Sequence, residues 1–477
     1  MNFTQAVQSQ ETTTTNGMAA FVGTLNANVD LFFNIGASRG KDILPAFTAA
    51  LVENRELALR IAQWARDVRG GAGERQIYRD ILKYLENADP SAAKALIMNT
   101  PEIGRWDDLL VFTNPLLKNF AFSLIETALK NGNGLCAKWM PRKGTVAEEL
   151  RAYLGYSPKR YRKTLVTLTK VVETQMCAKQ FDQIVYEHVP SVAAARYRKA
   201  FKRNDEVRFG EYTEALSKGE AKINASAAYP YDVLKSVVGS YGSTLSADER
   251  KFIVAQWAAL PNYVGSALTL PMVDVSGSMS CPAGGHGSKS GLTCMQVAIS
   301  LGLYLADKNT GPFKDTFLTF SAQPQLLNLK GDVIQKYEQM ESSDWGMNTN
   351  VEAAFSRVLE VAKQLSVPQE EMPAYLLILS DMQFDQATRD YSARSGTATA
   401  MDMIKAKYQE AGYTVPKIVF WNLNASGNVP VRFNESGTAL VSGFSPSIMK
   451  AVLSGQNFTP EGIMLEAVMS DRYTVNA

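Results

Sequence analysis

The stretch Leu270-Pro-Met-Val-Asp-Val-Ser-Gly-Ser-Met279 decides the fold. Its apolar residues run without polar interruption up to Val273, as in a strand buried on both faces. They end in Asp274, Ser276 and Ser278, an Asp-x-Ser-x-Ser pattern. One carboxylate and two hydroxyls leaving a buried strand make an oxygen donor set for a hard cation. Mg²⁺, or Mn²⁺ in its place, takes oxygen ligands in octahedral geometry and keeps several waters. One carboxylate and two hydroxyls under-neutralise such an ion, which leaves it able to take an acidic group from a protein partner. The bland alternative is a serine-rich turn after a strand.

Two further segments complete the set. Trp345-Gly-Met-Asn-Thr-Asn-Val-Glu-Ala-Ala-Phe355 places Thr349 just ahead of a helical pattern. Tyr375-Leu-Leu-Ile-Leu-Ser-Asp381 is a second apolar run that ends in a carboxylate. Around them, runs of strand length alternate with helical patterns. Strands are predicted over 267–275, 317–320, 374–379, 417–421 and 439–441, and helices over 295–307, 350–365, 398–411 and 446–453. Such alternation predicts a doubly wound, mostly parallel sheet covered on both faces. Ligands bind beyond the carboxyl ends of those strands, where Asp274 and Asp381 fall.

Upstream of this region the pattern is helical and broken by glycine and proline. Helices are predicted over 47–68, 75–85, 91–97, 106–112, 116–131, 145–154, 161–178, 192–201 and 207–218. Short helices with short breaks suggest a helical-repeat (HEAT-like) solenoid, in which stacked neighbours bury each other's apolar faces. The chain of 477 residues thus reads as multidomain, α plus α/β: a flexible lead over 1–17, a helical domain over 18–265 and an α/β domain over 266–477.

Composition narrows the function. Apolar content of 46% with 20% charged residues is that of a globular protein. No run approaches the length of a membrane span, and the N-terminus lacks the features of a secretory signal. Cys136, Cys177, Cys281 and Cys294 show no Cys-x-x-Cys spacing, so neither a zinc site nor a redox pair is expected. Scattered thiols fit a reducing, cytoplasmic setting. With only His188 and His286, histidine-based acid/base chemistry has little material.

The net charge of +2 hides an asymmetry. Residues 138–208 carry 16 Lys/Arg against 7 Asp/Glu, whereas residues 268–477 carry 15 against 20. The basic part is suited to a polyanion and the acidic part to a metal. Candidate RNA-contacting cations are Lys138, Arg142, Arg160, Arg162 and Lys163, together with Arg196, Arg198, Lys199, Lys202 and Arg203. Tyr153, Tyr156, Tyr161 and Tyr197 interleave with Arg151, Lys159, Arg160, Arg162, Arg196 and Arg198 as stacking surfaces. A solvated helical face is the bland reading of the same residues. Arg66, Arg69 and Arg75 flank three glycines and read as a helix–helix turn paired to Asp67, Glu74 and Asp80 rather than as a phosphate loop. Arg105, Trp106, Asp107 and Asp108 read as a buried structural knot.

Several segments taken in order carry a family resemblance. They are Val29-Asp-Leu-Phe-Phe33, Arg66-Asp-Val-Arg-Gly-Gly-Ala-Gly-Glu-Arg75, Gly104-Arg-Trp-Asp-Asp-Leu109, Lys138-Trp-Met-Pro-Arg142, Tyr161-Arg-Lys-Thr-Leu165, His188-Val-Pro-Ser191, Lys222-Ile-Asn224, Phe317-Leu-Thr-Phe320 and Ser380-Asp-Met-Gln-Phe-Asp385. Over nearly its whole length the chain resembles the Ro autoantigen-like family, a TROVE domain followed by a von Willebrand factor A domain, and looks closer still to its Ro-like members in plants and bacteriophages. That resemblance implies a ring of helical repeats closed by the A domain. It implies binding of small structured RNA on a basic face and of single-stranded ends in the central hole. It also implies a metal-ion-dependent adhesion site made of Asp274, Ser276, Ser278, Thr349 and Asp381. The function expected is a non-catalytic, monomeric RNA-binding protein with an Mg²⁺-dependent partner site. The alternatives are a metal-dependent protein–protein adaptor and, more remotely, a metal-dependent nuclease, for which Asp385 is the one obvious extra carboxylate.

Overall fold

The computed structural model describes residues 11–225, 228–238, 245–283, 292–320, 323–343, 350–384, 400–425 and 427–475. Two compact units cut across the order of the sequence. One contains residues 1–53, 229–246 and 260–468; the other contains 54–228, 247–259 and 469–477.

The first unit is built on a six-stranded sheet. Its strands are β3 (Thr269–Val273), β4 (Thr316–Thr319), β5 (Leu326–Asn328), β6 (Tyr375–Ser380), β7 (Lys417–Asn422) and β8 (Thr438–Ser442). Their spatial order is β5-β4-β3-β6-β7-β8, and every pairing is parallel except β4 with β5. The chain therefore moves outward from β3 to β4 and β5, then crosses back to place β6 on the other side of β3. The order of strands reverses between β3 and β6, the position at which open α/β sheets bind ligands.

Helix Cys294–Lys308 lies close against β3. A Cβ on Gly302 would stand 2.3 Å from Val273 Cγ2, so only glycine permits that approach. The helix starts with a reciprocal cap, in which Thr293 N donates to Gln296 Oε1 (3.0 Å) and Gln296 N to Thr293 Oγ1 (3.2 Å). Asn350 caps helix Val351–Leu365 through Ala353 N. Strand β5 and helices Val333–Glu341 and Pro460–Val468 are additions to the predicted elements. The three-residue β5 is too short to announce itself by periodicity.

Within the tract read as a flexible lead, the residues from Glu11 to Asn16 take defined structure. Strand β1 (Glu11–Thr13) pairs antiparallel with β2 (Ala19–Phe21). Thr14 Oγ1 donates to Phe384 O (2.5 Å) and Asn16 Nδ2 to Gln383 O (2.8 Å), while Thr15 N donates to Gln383 Oε1 (2.8 Å). Hydroxyl and amide side chains that suggest disorder in sequence are here the hydrogen-bonding groups that pin the segment.

The second unit is helical among its described residues, with helices at Arg55–Arg66, Arg75–Ala88, Pro90–Ile103, Pro115–Lys130, Gly134–Trp139, Thr145–Tyr153, Pro158–Leu168, Val172–Cys177, Ser191–Asn204, Glu206–Lys218 and Ala247–Ala258. Two predicted helices are each divided. Asn54 turns extended and accepts from Leu57 N, which separates Leu44–Glu53 from Arg55–Arg66. The β-branched residues Thr169 and Val171 turn extended and separate Pro158–Leu168 from Val172–Cys177.

The glycine-bracketed turn after Arg66 folds back on its own helix. Ala72 N donates to Trp64 O (3.1 Å), and a Cβ on Gly71 would meet that oxygen at 1.8 Å. Arg66 pairs with Asp108, which is fully buried, at 2.7 Å; Arg79 binds the other oxygen of Asp108 at 2.6 Å. Arg69 donates to Glu102 O. These contacts fit the structural reading of the turn: Arg66 takes Asp108 rather than Asp67, Glu74 or Asp80, while the Arg69 amide donates to Asp67 Oδ1 (3.0 Å). Asp67 instead takes Arg472 (2.5 Å) and the Tyr473 hydroxyl (3.0 Å). A carboxylate this deeply buried is tolerated only with such paired donors.

Candidate functional site

Asp274 follows β3 directly and Asp381 follows β6. Because Val273 and Leu379 are aligned in the parallel register, Asp274 comes level with Ser380. The Ser380 hydroxyl donates to Asp274 Oδ2 (2.5 Å), and Ser276 N donates to Asp274 Oδ1 (2.9 Å). Ser276 Oγ and Ser278 Oγ stand 3.0 Å apart, and the Ser278 hydroxyl bonds to Asp381. Four of the five predicted ligands, Asp274, Ser276, Ser278 and Asp381, thus form one connected group of oxygens at the strand-order reversal. Thr349 lies outside the described residues, as do His286 and Asp385.

The electrostatics fit a cation. Asp274 is fully buried, and burial together with the neighbouring Asp381 pushes its carboxyl up to about 6. Burial also raises Asp381, an effect opposed by its hydrogen bonds from Ser278 and Gln383 N and by the charge of Lys41. Two adjacent buried carboxylates resist full ionisation unless positive charge is supplied. No group of three or more His, Cys, Asp or Glu side chains placed to hold a metal occurs among the described residues. The donor set here is two carboxylates plus hydroxyls, suited to a hard ion that keeps waters. Met382, next to Asp381, has φ +64° and is buried, a strained conformation held by Ser380 Oγ accepting from Met382 N (3.0 Å).

Sequence reasoning missed four neighbours of this group. Ser380 was visible as the polar residue ending an apolar run, but its partner across the sheet was not. Lys41 reaches Asn424 Oδ1 (2.7 Å) and Ala425 O from a distant part of the chain. Cys281 and Cys294 bring their sulfurs to 3.4 Å, against the expectation of no cysteine pair. Twelve residues lie between them, so no short motif marks the pairing.

The basic residues fall into three settings. On helix Ser191–Asn204, Phe201 and Ala194 are buried within a cluster that includes Tyr186, Phe209, Tyr212 and Phe252. Arg198 pairs with Glu249 (3.0 Å) and Lys202 with Asp248 (2.7 Å), both on helix Ala247–Ala258. Arg196, Lys199 and Arg203 recur at helical spacing on another face, exposed and without a carboxylate partner among the described residues. A second setting is a cavity of about 570 Å³ lined by Arg142, Lys143, Arg151 and Arg162, with Glu148 and the buried Tyr161. Arg142 donates to Thr169 Oγ1 (3.3 Å), and Tyr161 OH donates to Pro141 O (3.0 Å). Lys143 was not among the predicted cations. In the third setting, cations cover aromatic rings: Arg160 lies 4.1 Å from the Tyr156 centroid, and Lys138 and Arg105 lie 5.3 and 3.5 Å from that of Trp139. Arg105 also pairs with Asp107. Lys163 is exposed on helix Pro158–Leu168.

Fold and site define a two-part protein: a helical unit with a free basic face, and a parallel α/β unit with an Asp-x-Ser-x-Ser group at its strand-order reversal. Residues 135–267 match the model of a domain of unknown function, DUF2828, and residues 269–474 match that of another, DUF7788. The chain is 30% identical to the uncharacterized protein L728 of Acanthamoeba polyphaga mimivirus, over 97% of this chain and 88% of that one. It belongs to the family of that mimivirus protein. The crystal structure of the Deinococcus radiodurans Ro (RSR) protein aligns with 89% of this chain and 93% of its own, at 15% identity and a TM-score of 0.48. No helix among the described residues is long and apolar enough to cross a membrane.

Proposed function

We propose that this protein is a non-catalytic RNA-binding protein of the Ro-like kind. In this reading a TROVE-like unit of helical repeats binds small structured or single-stranded RNA. A von Willebrand factor A-like unit holds Mg²⁺ or Mn²⁺ through Asp274, Ser276, Ser278, Thr349 and Asp381 and captures an acidic protein partner. The ordered segments by which the sequence resembles the Ro-like family support it.

The observation that carries the reading is the division of labour on helix Ser191–Asn204. Arg198 and Lys202 are neutralised by Glu249 and Asp248, which accounts for them structurally. Arg196, Lys199 and Arg203 have no such account, and three unneutralised cations on one exposed face are an electrostatic footprint for phosphates. The cavity at Arg142, Lys143, Arg151 and Arg162 adds a second basic surface in the same unit, with apolar Ala147, Pro158 and Val166 beside it.

The test is a binding titration of the purified protein with a labelled single-stranded RNA at several salt concentrations. Arg196, Lys199 and Arg203 changed together to Glu should cost about tenfold or more in affinity and flatten the salt dependence. The Arg198→Glu, Lys202→Glu pair should cost less affinity, because those cations already have protein partners. Equal affinity for parent and triple variant would remove the RNA reading in favour of the metal-dependent adaptor.

A further inference from the structure

We propose that Cys281 and Cys294 form a dithiol–disulfide pair that is oxidised by low-molecular-weight disulfides of the oxidised-glutathione class. The two sulfurs are 3.4 Å apart, and the backbone holds them there. Cys294 N donates to Cys281 O (3.0 Å), Ala283 N donates to Leu292 O (2.8 Å), and Pro282 and Thr293 form an antiparallel bridge. The two cysteines therefore sit opposite each other at the neck of a hairpin, where side-chain rotation alone can bring the sulfurs to bonding distance.

Their settings differ in a way that assigns roles. Cys281 is partly exposed and reachable by a small oxidant, whereas Cys294 is buried, its sulfur 3.7 Å from Leu423 O. The ammonium of Lys41 is close enough to interact with both sulfurs. Cys281 is the attacking group: its thiolate displaces one thiolate from the oxidant and forms a mixed disulfide. Cys294 is the resolving group: its sulfur attacks Cys281 Sγ, completes the internal bond and expels the second thiolate. Two protein thiols are oxidised by two electrons, and the oxidant's disulfide is reduced to two thiols, which take up the two protons released.

The bond would close residues 282–293 into a ring immediately after the Asp-x-Ser-x-Ser segment. It would also tie the turn bearing Ser278, whose carbonyl accepts from Cys281 N (3.5 Å), to the start of helix Cys294–Lys308. The other thiols serve as internal references. Cys136 is buried, and burial pushes its thiol up to about 12; Cys177 is exposed without a cysteine partner among the described residues.

The full chain is incubated with oxidised glutathione, alkylated with N-ethylmaleimide, digested without reductant and read by mass spectrometry. The proposal predicts a peptide pair linked through Cys281 and Cys294, released by dithiothreitol, with Cys177 carried as its glutathione adduct or alkylated. Cys294→Ser should trap Cys281 as a stable glutathione adduct, and Cys177→Ser should leave the linked pair unchanged. Alkylation of both Cys281 and Cys294 in the parent protein would overturn the proposal, as would a glutathione adduct on parental Cys281 that persists unresolved.

Discussion

Replacing Asp274 by asparagine should make the metal-free protein more stable and abolish its response to Mg²⁺. A carboxyl whose pKa in the fold stands above its unfolded value holds its proton preferentially in the fold. Stability from that proton is fully present below the unfolded value and is lost as pH rises through the folded one. For Asp274 the two values are 3.8 and about 6, an interval worth about 3 kcal/mol against the metal-free fold at neutral pH. Asparagine removes the charge but has one oxygen for two donors, Ser276 N and Ser380 Oγ, which returns about 1–2 kcal/mol. The net expectation at neutral pH in chelator is a gain of about 1–2 kcal/mol, or a few degrees in Tm. The gain should disappear near about pH 4, where the parent carboxyl is protonated too. Added Mg²⁺ at about a hundredfold excess over its Kd should raise the parent by about 2.7 kcal/mol and leave the variant unmoved. Urea unfolding of both proteins, in chelator and in Mg²⁺ at the two pH values, reads all four quantities. A variant less stable than the parent in chelator at neutral pH, together with a parent indifferent to Mg²⁺ and Mn²⁺, would refute the reasoning.

Other substitutions test separate links. Gly71→Ala forces a Cβ to within 1.8 Å of Trp64 O, so the turn must open; a loss of about 3 kcal/mol or more in unfolding free energy is expected by calorimetry. Arg66→Ala leaves the buried Asp108 with Arg79 and the Arg105 amide alone and should cost about 3–5 kcal/mol by the same measurement. Arg142→Ala with Arg162→Ala should weaken RNA binding several-fold and lower the salt slope by about one to two in a filter-binding titration, with unfolding midpoints little changed. Affinity equal to that of the parent would remove the cavity from the RNA surface.

The parts of the fold that show in the sequence are those whose cause is local. Buried parallel strands must be continuously apolar, so β3 and β6 were legible as runs, and the carboxylates at their ends were legible as exits from those runs. The adjacency of the two ends depends on strand order, which no single run encodes; there the parallel pairing had to come from topology. Asn54 looks like an ordinary helical position until its side chain is seen capping Leu57 N. Likewise Arg198 and Lys202 look like the rest of a basic helix, because their carboxylates arrive from Asp248 and Glu249, some 50 residues away. The Cys281–Cys294 contact and the docking of Thr14 and Asn16 on the loop after β6 are also long-range. Each joins residues whose meeting is fixed by packing rather than by spacing.

The most direct test of the central claim is crosslinking of the protein in its native cells, followed by sequencing of the bound RNA. The parent is compared with the Arg196→Glu, Lys199→Glu, Arg203→Glu variant at matched abundance. The account predicts a defined set of RNAs enriched with the parent and lost with the variant. No enrichment above background with the parent would contradict it.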